Sequence, residues 1–72
     1  MNEISRTKLK KFRCGKLLTQ EQVAKKLGYN RAHYARFENG TAEITLRFLE
    51  ALQKAFKITF DEAKELTKRD NE

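Results

Sequence analysis

The residues best suited to do chemistry in this chain are the hydrogen-bond donors of one short segment, NRAHYARFEN, from Asn30 to Asn39. Wound as a helix at about 100° per residue with Tyr34 and Phe37 turned inward, it presents Ala32, Ala35, Arg36 and Asn39 on the far side and Arg31 on the flank. Arginine forks pair bidentately with the guanine edge, alanine meets the thymine methyl, and small side chains let a helix approach base edges closely. The same arginines would serve equally as an ordinary solvated helix face, so this face alone leaves two readings open. Other chemistry has less support. No acid and base pair, nucleophile constellation or phosphate-cradling loop stands out in the sequence, and an enzyme is not expected. One histidine, His33, and one cysteine, Cys14, fall short of the three or four protein ligands of a zinc site. Neither a metal nor a cofactor is expected.

Two short helices and a tight turn would position that segment. Thr19 and Gln22 have the spacing of a capping box, and Leu18 with Val23 that of a hydrophobic staple, so a helix begins at Gln20. Val23, Ala24 and Leu27 share its inner face, and Gly28 supplies a left-handed stop. Asn30 is a good N-cap for the next helix, which Asn39 and Gly40 close. The joint fits a helix-turn-helix, and its spacing fits an ordinary helical hairpin as well.

The remaining chain reads as support. Residues 4–14 form a first helix with Ile4, Leu9, Phe12 and Cys14 inward, capped by Ser5 or Asn2 and ended by Gly15. Residues 41–44 make a polar loop plugged by Ile44, and Thr45 caps a fourth helix. Leu46, Leu49, Leu52 and Phe56, flanked by Phe48 and Ala55, give that helix an apolar stripe wide enough for the centre of the core. Thr59 and Glu62 repeat the capping box ahead of Phe60, Ala63 and Leu66, and residues 67–72 read as a frayed polar tail. With no proline and no useful strand-like alternation, the expectation is an all-α fold, a compact five-helix bundle in one domain over residues 1–72.

Charge is distributed unevenly. The chain carries a net +6, but residues 1–16 hold six basic side chains against one acidic, a net +5, while residues 48–72 hold five basic and six acidic. A basic N-terminal helix suits a polyanion, and also a solvated face or a membrane surface. Without an apolar leader or a run of about 18 apolar residues, a soluble cytoplasmic location with reduced thiols and no membrane partner is expected.

From Leu9 to about Leu66 the chain resembles the Cro and phage C1-type repressor domains, the XRE helix-turn-helix family. The resemblance rests on LKKFR, then LTQEQVAKKLG, then NRAHYARFENG, then ITLRFLEALQKAFKITFDEA, in that family's order and spacing. It implies a lambda repressor-like bundle whose helix from Arg31 to Asn39 enters the major groove of double-stranded DNA. By this resemblance Asn30, Arg31, Ala32 and Arg36 read bases, and Gln20 holds a phosphate beside exposed helix amides. Asn39, Thr41, Thr45 and Arg47 would meet backbone, and Arg13 with Glu38 would tie the first helix to the end of the third. His33, on the flank of that helix, is a weaker phosphate candidate.

The implied function is that of a bacterial or phage transcriptional repressor or controller, located with the nucleoid. It would bind a palindromic operator as a homodimer with half-sites about 34 Å apart. Ile58, Phe60 and the last helix are the candidates for the dimer contact, and no small-molecule ligand is expected. An antitoxin-like DNA-binding partner of another protein and a non-catalytic protein or RNA interaction module are the competing readings. Four positions depart from the family pattern: Tyr34 in place of an aliphatic residue, Leu17 for glycine, Ile44 for proline, and Cys14-Gly15 at the end of the first helix. A buried Tyr34 needs a partner for its hydroxyl, which either reaches the surface or joins the DNA contact.

Overall fold

Side-chain caps set the starts of four helices in the computed structural model, which describes residues 5–71. Thr19 accepts from the Gln22 amide at 3.1 Å while the Gln22 side chain accepts from the Thr19 amide at 2.8 Å, and α2 runs Gln20–Leu27. Asn30 caps α3, Arg31–Asn39, by accepting from the His33 amide at 2.7 Å. Thr45 caps α4, Leu46–Phe56, and a second capping box of Thr59 and Glu62 opens α5, Phe60–Leu66. Gly28 and Gly40 close α2 and α3 at φ 84° and 80°, the left-handed conformation that glycine adopts without steric cost.

The first helix, α1, spans Thr7–Gly15 and departs from expectation at both ends. Ser5 does not cap it, since its hydroxyl donates to Asp70 at 3.2 Å, and the expectations for Asn2 and Ile4 lie outside the described residues. Asp70 itself is the cap. One of its carboxylate oxygens accepts from the Thr7 amide at 3.0 Å, the other accepts from the Thr7 hydroxyl, and the Asp70 amide donates to the Ser5 carbonyl at 2.9 Å. The segment expected to fray is therefore bound to the start of α1.

Arg6 reinforces this join from inside. Only 3% exposed, it donates from Nε to the Thr67 carbonyl and from Nη1 to the Phe37 carbonyl, each at 2.7 Å. The cation gives the Thr67 carbonyl a donor and adds a second donor to the Phe37 carbonyl, which already accepts from the Gly40 amide at 3.3 Å, and it complements the dipoles at the C-terminal ends of α5 and α3.

At the other end, α1 continues through Gly15, and the left-handed residue is Leu17, at φ 59° with its side chain 90% exposed. This is where the sequence departs from the family's glycine, and an L side chain there is strained. Cys14 is exposed rather than turned inward. Five residues past the buried Leu9, it lies about 140° further round the helix.

The core is made by Leu9, Val23, Ala24, Leu27, Tyr34, Phe37, Phe48, Leu49, Leu52 and Ala63. α2 packs on α3 and α4, α1 bridges α3 and α5, and α4 supports α5. Phe37 stacks on Phe48 with ring centroids 4.1 Å apart, and Phe12 meets Phe56 edge-on at 5.1 Å. Each large side chain so buried contributes roughly 1.5–3 kcal/mol. Ile44 packs against this core as the expected plug, whereas Leu46, in the first turn of α4, is exposed and Phe48 takes the inner place. Among the described residues there is no strand, so the all-α five-helix expectation holds.

Candidate nucleic-acid interface

The inner side of α3 is held by a buried polar cluster. Glu38 is buried and receives Arg13 Nε at 2.6 Å on one carboxylate oxygen, with Arg13 Nη2 at 3.4 Å and the Gln20 amide at 3.0 Å on the other. Arg13 Nη1 donates to the Leu18 carbonyl at 2.8 Å, so the same guanidinium also fixes the turn between α1 and α2. Burial alone would push the Glu38 carboxyl up. The hydrogen bonds from Arg13 and Gln20, with the Arg13 charge, outweigh it and hold the group below the usual carboxylate value. The Glu38 partner raises Arg13 in turn. Here the expected ion pair is present, and Gln20, expected at a phosphate, also has its amide on Glu38.

Tyr34 takes neither place open to it from the sequence. Its ring is fully buried beside Phe48, and its hydroxyl lies within the field of the Arg13 and Glu38 charges without meeting hydrogen-bond geometry. It reaches neither solvent nor the outer face of α3. Burial, followed by the Glu38 charge, pushes the phenol far above its ordinary pKa, so it stays protonated.

The outer side of α3 contrasts with this. Arg31, Ala32, Arg36 and Asn39 are exposed, and among the described residues neither the Arg31 nor the Arg36 side chain has a hydrogen-bond or ion-pair partner. Asn30 is exposed as well, with its amide oxygen committed to the cap. His33, Arg36, Thr41, Thr45 and Arg47 line one groove of about 590 Å³ along the α4 side of the helix. Gln20 and Asn39 line a second cleft, of about 340 Å³, on its α1 and α2 side. The candidate residues thus divide into two flanks with the exposed face of α3 between them.

Local bonds explain several positions. The Thr41 amide donates to the Arg36 carbonyl at 3.0 Å, which fixes the chain leaving α3, and Thr45 holds the first turn of α4. The His33 ring stacks on Phe37 at 4.9 Å and meets the edge of Tyr29 at 4.9 Å, so aromatic packing orients it. Tyr29 had no role in the sequence reading, yet it is the platform of the groove. Its ring contacts Phe37 at 5.3 Å and lies under the Arg47 guanidinium at 5.7 Å. Its position just after the Gly28 stop, where an apolar residue commonly packs back on the helix it leaves, is the signal that would have found it.

Small side chains and guanidinium groups without partners among the described residues, on one exposed helix flanked by two clefts, suit insertion into a groove with base edges in front and phosphates on either side. Comparisons with known proteins give the family. A helix-turn-helix family model matches residues 9–62. Over 55 residues the chain is 38% identical to the HTH-type transcriptional activator BcrR of Enterococcus faecalis, an alignment covering 76% of this chain and 27% of that protein. The chain therefore spans about a quarter of the length of this curated relative. Caps, core and exposed face together carry the helix-turn-helix pattern through the matched segment, and the chain belongs to the Cro/C1-type, or XRE, helix-turn-helix family.

Proposed function

We propose that this chain is a sequence-specific, double-stranded DNA-binding transcriptional regulator that inserts α3 into the major groove and acts as a homodimer on a palindromic operator. The observation that carries the reading is the exposure of Arg31 and Arg36, without partners among the described residues, on a helix whose opposite side is locked by Glu38. In this reading Asn30, Arg31, Ala32 and Arg36 meet base edges. Gln20, His33, Asn39, Thr41, Thr45 and Arg47 meet the two backbones from the flanking clefts. The related protein is named an activator. Repression or activation follows from where an operator lies relative to a promoter, and the reading proposed for α3 is the same for either. Homodimerisation is supported by family geometry and by Phe60, which is 39% exposed beside the half-buried Ile58.

Selection of bound duplexes from a random pool tests the proposal directly. The expected product is a two-fold symmetric sequence with half-site centres about one helical turn apart. Substituting Arg36→Ala is expected to remove about 1–3 kcal/mol of discrimination between that duplex and a scrambled one. Equal competition by selected duplex, scrambled duplex and RNA would overturn the reading.

A further inference from the structure

The six cations of the basic N-terminal segment are not equivalent once the chain is folded. Lys8 forms an ion pair with Glu65 on the α5 side. Arg13 is matched by Glu38, and Arg6 is buried on the Thr67 and Phe37 carbonyls. Lys16 lies 5.2 Å from the centre of the Phe12 ring, and Lys11 is within the field of Asp70. Lys10 alone of the six has no such partner among the described residues, and it lines the same cleft as Gln20 and Asn39.

We propose that Lys10 is a backbone-phosphate ligand of this domain, holding with Gln20 and Asn39 one DNA phosphate in the cleft between α1, α2 and the end of α3. The inference rests on the DNA-binding function proposed above and adds α1 to its contact surface.

The cleft suits this role for chemical reasons. Gln20 and Asn39 are neutral amides and leave the phosphate charge to be met by a cation. Arg13 is not available for it, because its guanidinium already satisfies Glu38 and the Leu18 carbonyl. Glu38, which also lines the cleft, would repel a phosphate were it not offset by Arg13 and bonded by Gln20. A Gln20 amide nitrogen has two hydrogens, and one bond to Glu38 leaves the second for an anion. Lys10 then supplies an exposed ammonium with three donors on a flexible stem, suited to a phosphate as a point charge.

The test measures affinity of the full chain against salt concentration, on the duplex selected from the random pool and on a scrambled duplex. Lys10→Ala removes one contact from each protomer of the dimer and is expected to bind both more weakly by the same factor, roughly 25- to 100-fold near 0.1 M salt, as the loss of two released counterions requires. The slope of log affinity against log salt falls in magnitude by about two on both, and the ratio between the two duplexes is unchanged. Lys10→Arg keeps the parent slope. Lys8→Ala, on the α5 side, also keeps it. An unchanged slope in Lys10→Ala, or an equal loss in Lys8→Ala, overturns the phosphate assignment. Thermal unfolding by circular dichroism confirms that each variant is folded. Arg36→Ala separates the two levels: if it abolishes discrimination while Lys10→Ala behaves as the parent, only the Lys10 proposal fails. A parent that binds no duplex overturns both.

Discussion

Arg13 and Arg36 carry the same guanidinium on neighbouring helices, and the fold gives them opposite conditions. Arg13 is largely covered and donates to Glu38 and to the Leu18 carbonyl, so its hydrogen-bonding capacity is used inside the protein. Arg36 stands exposed on α3 with no partner among the described residues. The inner cluster holds α3 against α1 and α2, and the outer face is left exposed. A count of basic residues cannot separate the two roles, because availability for a ligand depends on what the folded chain has already neutralised.

The largest test of this contrast is Glu38→Ala. It strands Arg13 and the Gln20 amide without their acceptor, and a loss of about 3–5 kcal/mol in urea unfolding is expected, as for other broken buried ion pairs. Arg36→Ala, by comparison, is expected to change stability by less than about 0.5 kcal/mol. If the two losses are equal, the division between inner and outer side fails. The conservative Glu38→Gln adds a pH signature. Because the folded-state carboxyl is held below its unfolded value of 4.5, its contribution is complete above that pH and disappears as pH falls through the folded value. The stability gap between parent and Glu38→Gln should therefore be widest near neutrality and narrow in acid.

Tyr34→Phe sharpens the same boundary at smaller scale. Removing a buried hydroxyl that meets no hydrogen-bond geometry should stabilise the chain by about 1 kcal/mol. A loss of stability instead would make the phenol a working member of the Arg13 and Glu38 cluster. Smallest is Leu17→Gly, which relieves a left-handed L residue whose side chain is almost wholly in solvent. The relief, less the entropy cost of glycine, gives an expected gain of about 0.5–1 kcal/mol and a rise of several degrees in Tm. DNA affinity should be unaffected by it, since Leu17 lines neither flanking cleft.

Much of the fold was legible because its signals are local. Thr19, Asn30, Thr45 and Thr59 each satisfy amides within three residues, and Gly28 and Gly40 need no tertiary partner to favour the left-handed turn. The wide apolar stripe of α4 likewise follows from helical periodicity, except at Leu46, where the helix extends past the packed face. Less of the candidate site could be read. The bond from Gln20 to Glu38, where the Tyr34 hydroxyl lies and what Tyr29 supports all depend on contacts between helices.

The sequence by itself determined the presence of five helices, the caps that start α2 to α5, the inward set led by Val23, Leu27, Phe37 and Leu52, and the exposed row of Arg31, Ala32 and Arg36, because spacing and short-range hydrogen bonds dictate these. Only the tertiary structure decided the joining of the termini through Asp70 and Arg6, across separations of more than sixty residues. It also decided which cations remain available. Electrostatic partners are set by distance in space, so Lys8, Arg13 and Lys10 look alike along the chain and differ once α5 and α3 are brought beside α1.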